Sequence, residues 1–387
     1  MSNNDYFNLI DFGSSKIRFS VYNTSFKEKY TESKSILLDE DYKNHLNFIT
    51  ETVKRAEKEL SYHIKDIILL LDSSKVFTID IALRKKLDNK SMFDKVYESI
   101  ILELNQLIYK YYDNYNILHT IFDRCLIDDK IFEKLPKNEI VKSEIKIDFR
   151  VVCLPSQLIL NIKNKFNKKN LNIINIFCNS YIKSSSYSLK LDHKKISFLE
   201  IGWERTSLMF CENSKLNFII SIPIGSHHIT KDISKVFDIN IEEAEKLKKL
   251  FNKSENEFSY DKNESEGLIS ASDIIKKKIS VDILKKVILY RIQEIIDLIY
   301  KNTNEKVKKN KFEDSELFLI GEGSKLLSDN SFYLDDKFKF NSIKFYKETD
   351  SQICKNGFIY YLNNKNTPKI ITKKLGLFEK FFNFFSN

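Results

Sequence analysis

Three short segments of the sequence carry residues that could bind a phosphorylated ligand. Each is an apolar run that ends in glycine, and together they hold four of the eight glycines in 387 residues: Gly13, Gly202, Gly321 and Gly323. Glycine is required where a backbone adopts positive φ or approaches a ligand closely. Backbone N–H groups in such loops can close around phosphate oxygens. The placement of these glycines therefore predicts a cleft that binds a polyphosphate.

The first of these loops also offers a carboxylate, two hydroxyls and a cation. Asp11 ends a predicted buried strand, where a carboxylate needs a partner, and a magnesium ion held through water would be one. Ser14 and Ser15 supply hydroxyl and amide groups, and Lys16 can reach a phosphate chain. In the simpler alternative, Asp11 caps a turn and Lys16 is solvated. One such segment favours that alternative, whereas three in order favour the phosphate site.

The elements that position these loops are buried strands. An apolar run precedes each loop, in both halves of the chain, which indicates a duplicated α/β domain with a cleft between its halves. Ligands of such sheets bind beyond the carboxyl ends of the strands. Between about Val76 and Cys153 the pattern changes and indicates a small α/β insertion. The remaining pattern predicts strands over 7–11, 17–22, 67–71 and 171–177 and helices over 47–60, 230–252 and 274–301.

The composition argues against several classes of protein. The five cysteines form no CxxC pair, so no zinc or redox motif is predicted and a reducing cytoplasm is the natural compartment. The net charge of +9 arises from lysines scattered among 54 acidic residues, which does not indicate a nucleic-acid partner. The polar N-terminus predicts no signal peptide, and no apolar stretch reaches the ~20 residues that span a bilayer. His227 and His228 are adjacent and are expected to be structural, not metal ligands.

The C-terminal segment 373–387 predicts a helix with an aromatic face. A lysine lies at its start and leucine and phenylalanine side chains fill one half of the helical wheel: Lys374, Leu375, Leu377, Phe378, Phe381, Phe382, Phe384 and Phe385. A short helix of this kind is typical of the plane of a membrane interface. In the alternative the helix docks onto the core of its own protein. The polar stretch 363–372 before it favours the membrane.

In order, the segments Asp11–Lys16, Glu200–Gly202 and Gly321–Ser324 resemble the phosphate-one, phosphate-two and adenosine motifs of the actin-like ATPases. Within that superfamily the sequence is similar, over essentially its whole length, to the FtsA family of bacterial cell-division proteins. Residues 117–121 resemble a strand of that family's inserted subdomain, and residues 354–358 resemble its closing helix.

The resemblance implies an α/β fold of the actin-like type, with ribonuclease H-like duplicated domains and an FtsA-type inserted subdomain. It places subdomain IA at 1–75 and 154–190 and the inserted subdomain IC at 76–153. Subdomain IIA would comprise 191–231 and 311–362, and subdomain IIB 232–310. Residues 363–387 would form a linker and an amphipathic membrane-targeting helix.

ATP and Mg²⁺ are the cofactors that the resemblance implies, with Asp11 as the metal contact. Glu245 and Lys248 would contact the ribose and base. The full set of implied nucleotide contacts is Asp11, Gly13, Ser14, Ser15, Lys16, Gly202, Trp203, Glu204, Arg205, Glu245, Lys248, Gly321, Gly323, Ser324 and Lys325.

The second loop departs from the pattern of the family, which has three glycines and then an aspartate there. Here Trp203 and Glu204 follow Gly202 and cannot give phosphate the close backbone approach that glycine allows. Glu204 would repel a terminal phosphate, and Arg205 could compensate by pairing with it. Because this loop positions charge in the transition state, we expect nucleotide to bind and hydrolysis to be weak or absent.

The implied role is that of an adaptor of the divisome. Such a protein polymerises, lies peripherally on the cytoplasmic face of the inner membrane and tethers FtsZ filaments there, alongside other divisome proteins and without nucleic acid. The C-terminal peptide of FtsZ is expected near the helix 283–301, at Arg291, with Lys285 and Lys286 as weaker candidates. The spacing of this helix predicts an apolar side formed by Ile283, Val287, Tyr290 and Ile295.

Two alternatives share the fold. One is an actin homologue of pilus assembly, against which the Leu118-His119 strand and the amphipathic tail count. The other is a sugar or acetate kinase, which needs a catalytic carboxylate facing the acceptor and a glycine-rich second loop. Neither feature is evident in the sequence.

Overall fold

The computed structural model describes residues 6–35, 42–251, 280–306, 312, 314–327, 334 and 337–364. The chain divides into a large unit, Met1–Thr78 with Asn161–Leu362, and a small unit that contains Ile79–Leu160. All three glycine loops predicted from the sequence belong to the large unit.

Strands and helices are mixed along the chain, with up to four successive strands between two helices. The first half of the chain contains β1 (Tyr6–Phe12), β2 (Lys16–Asn23), β3 (Glu28–Ser35), α1 (Tyr42–Leu60), β4 (Asp66–Leu71), β5 (Phe77–Lys86), β6 (Ser91–Met92), α2 (Phe93–Tyr111), β7 (Tyr115–Ile127), β8 (Lys130–Phe132), β9 (Ile140–Val141), β10 (Glu144–Pro155), α3 (Ser156–Asn167), β11 (Asn172–Cys178) and α4 (Asn179–Leu191). The second half contains β12 (Lys195–Ile201), β13 (Thr206–Glu212), β14 (Lys215–Ile222), α5 (Ser226–Phe237), α6 (Ile241–Phe251), α7 (Val281–Lys306), β15 (Glu316–Ile320), a 3-10 helix (Glu322–Leu327), β16 (Ser342–Phe345) and α8 (Asp350–Asn363).

Two five-stranded sheets of the large unit share one topology. The strand order is β3-β2-β1-β4-β11 in the first sheet and β14-β13-β12-β15-β16 in the second. In each sheet the first three strands run antiparallel to one another. The last two are added in parallel. The duplicated α/β domain predicted from the sequence is therefore confirmed.

The central strands of both sheets are buried because their sequences are nearly continuous apolar runs, as in strands covered on both faces. Their carboxyl ends carry the charged residues of the cleft. Asp11 lies near the end of β1, and Asp72 follows β4, its parallel neighbour. In the second sheet Glu200 lies near the end of β12, beside β15.

Helix α7 buries a different face from the one that its spacing predicted. Leu284 and Ile288 belong to the core beneath the second sheet, and Ile295 is buried there as predicted. Ile283 and Tyr290 were predicted on the apolar side but are 48% and 69% exposed. The helix is apolar around most of its circumference, so spacing alone did not select the buried face.

The small unit has a four-stranded sheet of order β5-β10-β7-β8 and a short β6–β9 pair. Helix α2 buries Phe93, Ile100 and Leu104. After β7, Asp128 accepts the N–H groups of Lys142 and Ser143 at 2.7 and 2.9 Å. The assignment of this region to a family-specific subdomain, and the other subdomain boundaries, stay predictions. Among the described helices, none is long and apolar enough to cross a membrane.

Candidate functional site

The first loop joins β1 to β2, and its carboxylate is paired inside the protein. Asp11 is 3% exposed. It accepts hydrogen bonds from Arg18 Nη1 at 2.6 Å and from Asn179 Nδ2 at 2.9 Å. Burial raises the pKa of the Asp11 carboxyl above its ordinary value, against the opposing charge of Arg18. The strand register sets Arg18 directly opposite Asp11, so the hairpin itself builds this pair.

Lys16 and Arg18 also bind a carboxylate at the start of α8. Lys16 Nζ donates to Asp350, and Arg18 Nε donates to Asp350 Oδ1 at 2.7 Å. Burial opposes ionisation of Asp350, but the two cations outweigh it and lower its pKa to about 2. Ser14 and Ser15 lie in the turn before Lys16. The ammonium predicted to reach phosphate is therefore paired with Asp350 in this structure.

The second loop is a tight turn between β12 and β13. Gly202 N–H donates to the Arg205 carbonyl at 2.9 Å and closes the turn. Arg205 Nη2 donates to Asp72 Oδ2 at 2.5 Å and to Glu200 Oε2 at 3.0 Å. Glu204, at the tip of the turn, is exposed. Arg205 thus joins the second sheet to a residue that follows β4 of the first.

Lys183, on α4, binds the same carboxylate as Arg205 and one more. Its Nζ lies 2.6 Å from Glu200 Oε1 and 3.1 Å from Glu348 Oε1. Burial opposes ionisation of Glu200, but Lys183 and Arg205 outweigh it and lower its pKa to about 2. We call the five side chains Asp72, Lys183, Glu200, Arg205 and Glu348 the cleft network.

The third loop is held against the second by backbone contacts. Gly321 has a φ of 79°, a conformation that favours glycine. Its N–H donates to Glu348 Oε2 at 3.0 Å. The buried Ser324 hydroxyl accepts the Ile201 N–H at 3.0 Å. Lys325, predicted as a nucleotide contact, is exposed and paired with Glu322 at 2.5 Å.

The glycines of these loops serve contacts between backbones. Gly321 is the only described glycine with positive φ. A Cβ on Gly323 would lie 2.5 Å from the Ile201 carbonyl oxygen. A Cβ on Gly225, at the start of α5, would lie 2.6 Å from the carbonyl oxygens of both Gly202 and Trp203. Close packing between loops therefore accounts for these glycines.

The residues expected to contact ribose and base lie together beside the second loop. Lys248 is buried and donates to Thr230 Oγ1 at 2.8 Å, and its Nζ lies 2.6 Å from Glu245 Oε2. Burial lowers the pKa of Lys248. The Trp203 ring centre lies 4.9 Å from Lys248 Nζ and 4.6 Å from the His227 ring centre. The indole of the second loop thus packs against this group.

The contacts of the cleft do not fit the predicted magnesium site. Magnesium prefers an octahedral shell of oxygens and keeps several waters. Here Asp11, Asp72 and Glu200 each accept hydrogen bonds from an arginine of the protein. The described residues contain no group of three His, Cys, Asp or Glu side chains that could hold a metal ion. Nucleotide contact at the predicted residues stays a prediction.

Sequence reasoning missed several charged partners in this cleft. Asp72 ends a strand in the same way as Asp11, so its position alone could have identified it. Arg18 could have been found by pairing the two predicted strands of the hairpin, since their register sets it opposite Asp11. No local pattern marks Lys183 or Asp350, because Glu348 and Arg18, with which they pair, lie far away in the sequence.

A groove lies between α5 and α7. It has a volume of about 270 Å³ and is lined by Asp232, Lys235, Val236, Val287, Tyr290, Arg291 and Glu294. Arg291 Nε and Nη2 donate to the two carboxylate oxygens of Asp232 at 2.6 and 2.9 Å, which fixes the guanidinium at the groove. Lys285 and Lys286, the weaker predicted partner contacts, are exposed but do not line it.

The predicted membrane-binding residues lie outside the described part of the chain. They are Lys374, Leu375, Leu377, Phe378, Phe381, Phe382, Phe384 and Phe385. The structure therefore leaves the targeting helix as a prediction from sequence.

Comparison with known proteins points to one family. A profile of the family described as Cell division protein FtsA matches residues 198–344. Among curated proteins, the Cell division protein FtsA of Staphylococcus epidermidis is 21% identical over 257 residues, which are 63% of this chain and 54% of that protein. The chain thus spans about half the length of the curated relatives it matches.

Solved structures share the fold. The PilM–PilN type IV pilus biogenesis complex aligns with a TM-score of 0.56 and 12% identity, covering 92% of this chain and 94% of that one. MreB 5 of Spiroplasma citri bound to AMPPNP aligns with a TM-score of 0.50 and 12% identity, covering 93% and 97%. At this identity the likeness shows the fold alone.

The two like sheets with loops at their facing carboxyl ends, together with these neighbours, define the class of protein: it has the actin-like ATPase fold. Within that fold, residues 198–344 are similar to the FtsA family, in agreement with the resemblance predicted from the sequence. These sequence matches are to cell-division proteins and favour neither the pilus-assembly nor the kinase alternative.

Proposed function

We propose that this FtsA-like protein self-associates into filaments and tethers FtsZ filaments to the cytoplasmic face of the inner membrane through its C-terminal segment. The groove between α5 and α7 is the observation that carries this proposal. It lies within the stretch matched by the FtsA family and contains Arg291, the residue expected to contact FtsZ.

The chemistry of the groove suits a short peptide. Tyr290 and Val236 are 69% and 52% exposed and lie together at the groove, where they provide a surface for apolar anchors. Arg291 keeps a quarter of its side chain accessible while Asp232 and Glu294, each 2.6 Å away, hold its orientation. A carboxylate of a bound peptide would have to share this guanidinium with them, so the exposed apolar side chains are expected to supply most of the affinity.

Truncation of Tyr290 tests the FtsZ contact. Tyr290→Ala removes an exposed aromatic anchor without opening the core, so we expect affinity for an FtsZ C-terminal peptide to fall about tenfold or more. Fluorescence anisotropy with a labelled peptide measures this. Lys301→Ala is the control, because Lys301 is exposed on the same helix and does not line the groove. Wild-type affinity in both variants would contradict the assignment.

Nucleotide is a secondary part of the proposal. MreB 5 was solved with AMPPNP, and the shared fold supports a nucleotide cleft here. Because Lys16 and Arg205 are already paired with carboxylates, we expect ATP to bind weakly and its hydrolysis to be slow or absent. Calorimetric titration measures binding. A turnover above about one ATP per minute, still far below typical kinase rates, would refute the expectation about hydrolysis.

A further inference from the structure

We propose that the cleft network closes the two halves of the large unit without magnesium or nucleotide. Arg205 and Lys183 supply the positive charge that a metal ion would otherwise bring to the carboxylates at the strand ends. The closed conformation is then a property of the folded chain. This inference concerns only the cleft and is independent of the FtsZ and membrane contacts proposed above.

The network crosses from one half to the other through Arg205. Arg205 leaves the β12–β13 turn of the second sheet and binds Asp72, which follows β4 of the first, at 2.5 Å. Lys183 lies on α4, which follows β11 of the first sheet but packs against β13 and β14 of the second, and it binds Glu200 at 2.6 Å. Glu200 receives both cations, so Lys183 supports the crossing made by Arg205.

The network is buried in the closed arrangement. The side chains of Lys183 and Glu200 are 6% and 8% exposed, and those of Asp72 and Arg205 are 11% and 14% exposed. Closure removes these charges from water, and their mutual attraction offsets that cost only when each charge meets its partner in this geometry. The network therefore specifies the closed arrangement.

The backbone of the second loop is fixed independently of any ligand. Its turn is closed by the Gly202–Arg205 hydrogen bond of 2.9 Å. Gly225 packs on it so closely that even a methyl group would collide with two carbonyl oxygens. Trp203 packs against the His227 ring, and the Lys248 ammonium lies over its indole. Contacts from three sides therefore hold Arg205 at the network.

The charges of the cleft leave little for a metal–triphosphate to neutralise. Asp11 is paired with Arg18 inside one hairpin. The network contains two cations and three carboxylates, joined at distances of 2.5 to 3.1 Å. A triphosphate entering here would have to draw Arg205 or Lys183 away from Asp72, Glu200 and Glu348. The closed form would then lose contacts rather than gain them.

A distance measurement across the cleft tests the proposal. The full chain would carry spin labels at Lys54→Cys, on α1, and Lys246→Cys, on α6; both positions are exposed, whereas the five native cysteines are buried. Pulsed electron paramagnetic resonance would be recorded in EDTA and again with millimolar Mg·ATP. We expect one narrow distance in EDTA that Mg·ATP does not shift. A broad distribution in EDTA that narrows or shortens with Mg·ATP would overturn the proposal.

Variants locate the effect in the network. Arg205→Gln removes one cation, and we expect a longer, broader distance in EDTA. Glu348→Gln, at the edge of the network, should broaden the distribution less. Lys344→Gln is the matched control, because Lys344 is an exposed cation of β16 that pairs with Glu316 outside the network. If the distances of Arg205→Gln and Glu348→Gln both equal that of the wild type, the network does not hold the cleft closed. The melting temperature of each variant, measured without spin labels, shows whether that variant folds. If a variant does not fold, the wild-type distances in EDTA and in Mg·ATP decide the proposal.

Discussion

At the residue scale, two carboxylates of the cleft, Glu200 and Asp11, change the stability of the fold in opposite directions when the pH falls. The pKa of Glu200 is lowered to about 2 from an ordinary value of 4.5, so its ionised form favours the folded state. That contribution is complete above pH 4.5 and is lost as the pH falls toward 2. The pKa of Asp11 is raised by burial, so protonation of Asp11 relieves a cost of folding and opposes the loss.

Glu200→Gln separates these two responses. We expect the variant to be less stable than the wild type at neutral pH, because Lys183 and Arg205 lose a shared carboxylate. Between about pH 5 and pH 3 its free energy of unfolding should fall less steeply with acid than that of the wild type. Urea unfolding at a series of pH values measures both slopes. Parallel slopes would show that Glu200 does not contribute to acid sensitivity.

At the scale of elements, the fold depends on how the start of α5 packs against the β12–β13 turn. A Cβ on Gly225 would lie 2.6 Å from two carbonyl oxygens, whereas a Cβ on Gly202 would lie 3.1 Å from one. We therefore expect Gly225→Ala to destabilise the protein by about 1–3 kcal/mol and Gly202→Ala by less. Thermal unfolding of the two variants side by side measures the difference. A larger loss for Gly202→Ala would refute this order.

The sequence predicted elements better than it predicted contacts. Apolar runs that end in glycine located β1, β12 and β15, because a strand buried on both faces must be apolar throughout. Helix α7 was located, but its buried face was not, because Ile283 and Tyr290 have the same apolar character as the residues that reach the core. The pairs Lys183–Glu348 and Arg18–Asp350 could not be predicted locally, because folding brings their members together from distant parts of the chain.

At the scale of the whole molecule, the proposed role requires attachment to a membrane that many copies share. The segment 373–387 has five phenylalanines and two leucines on one predicted face. Their partial insertion would contribute on the order of 5–10 kcal/mol before the cost of ordering the helix. Single copies would then bind reversibly, whereas copies linked in a filament would bind far more firmly because each attachment raises the effective concentration of the next.

Liposome co-sedimentation of the full chain tests this attachment. We expect the full chain to pellet with vesicles and a version that ends at Asn366 to remain in the supernatant, because the predicted apolar face is then absent. A second variant, Phe378→Ser combined with Phe381→Ser, separates apolar area from charge. It keeps the length and the lysines of the segment and removes apolar area alone, so it should also reduce pelleting. If all three proteins pellet equally, the C-terminal segment is not the anchor. If only the truncated chain fails to pellet, the attraction to lipid comes from the lysines and not from the phenylalanine face.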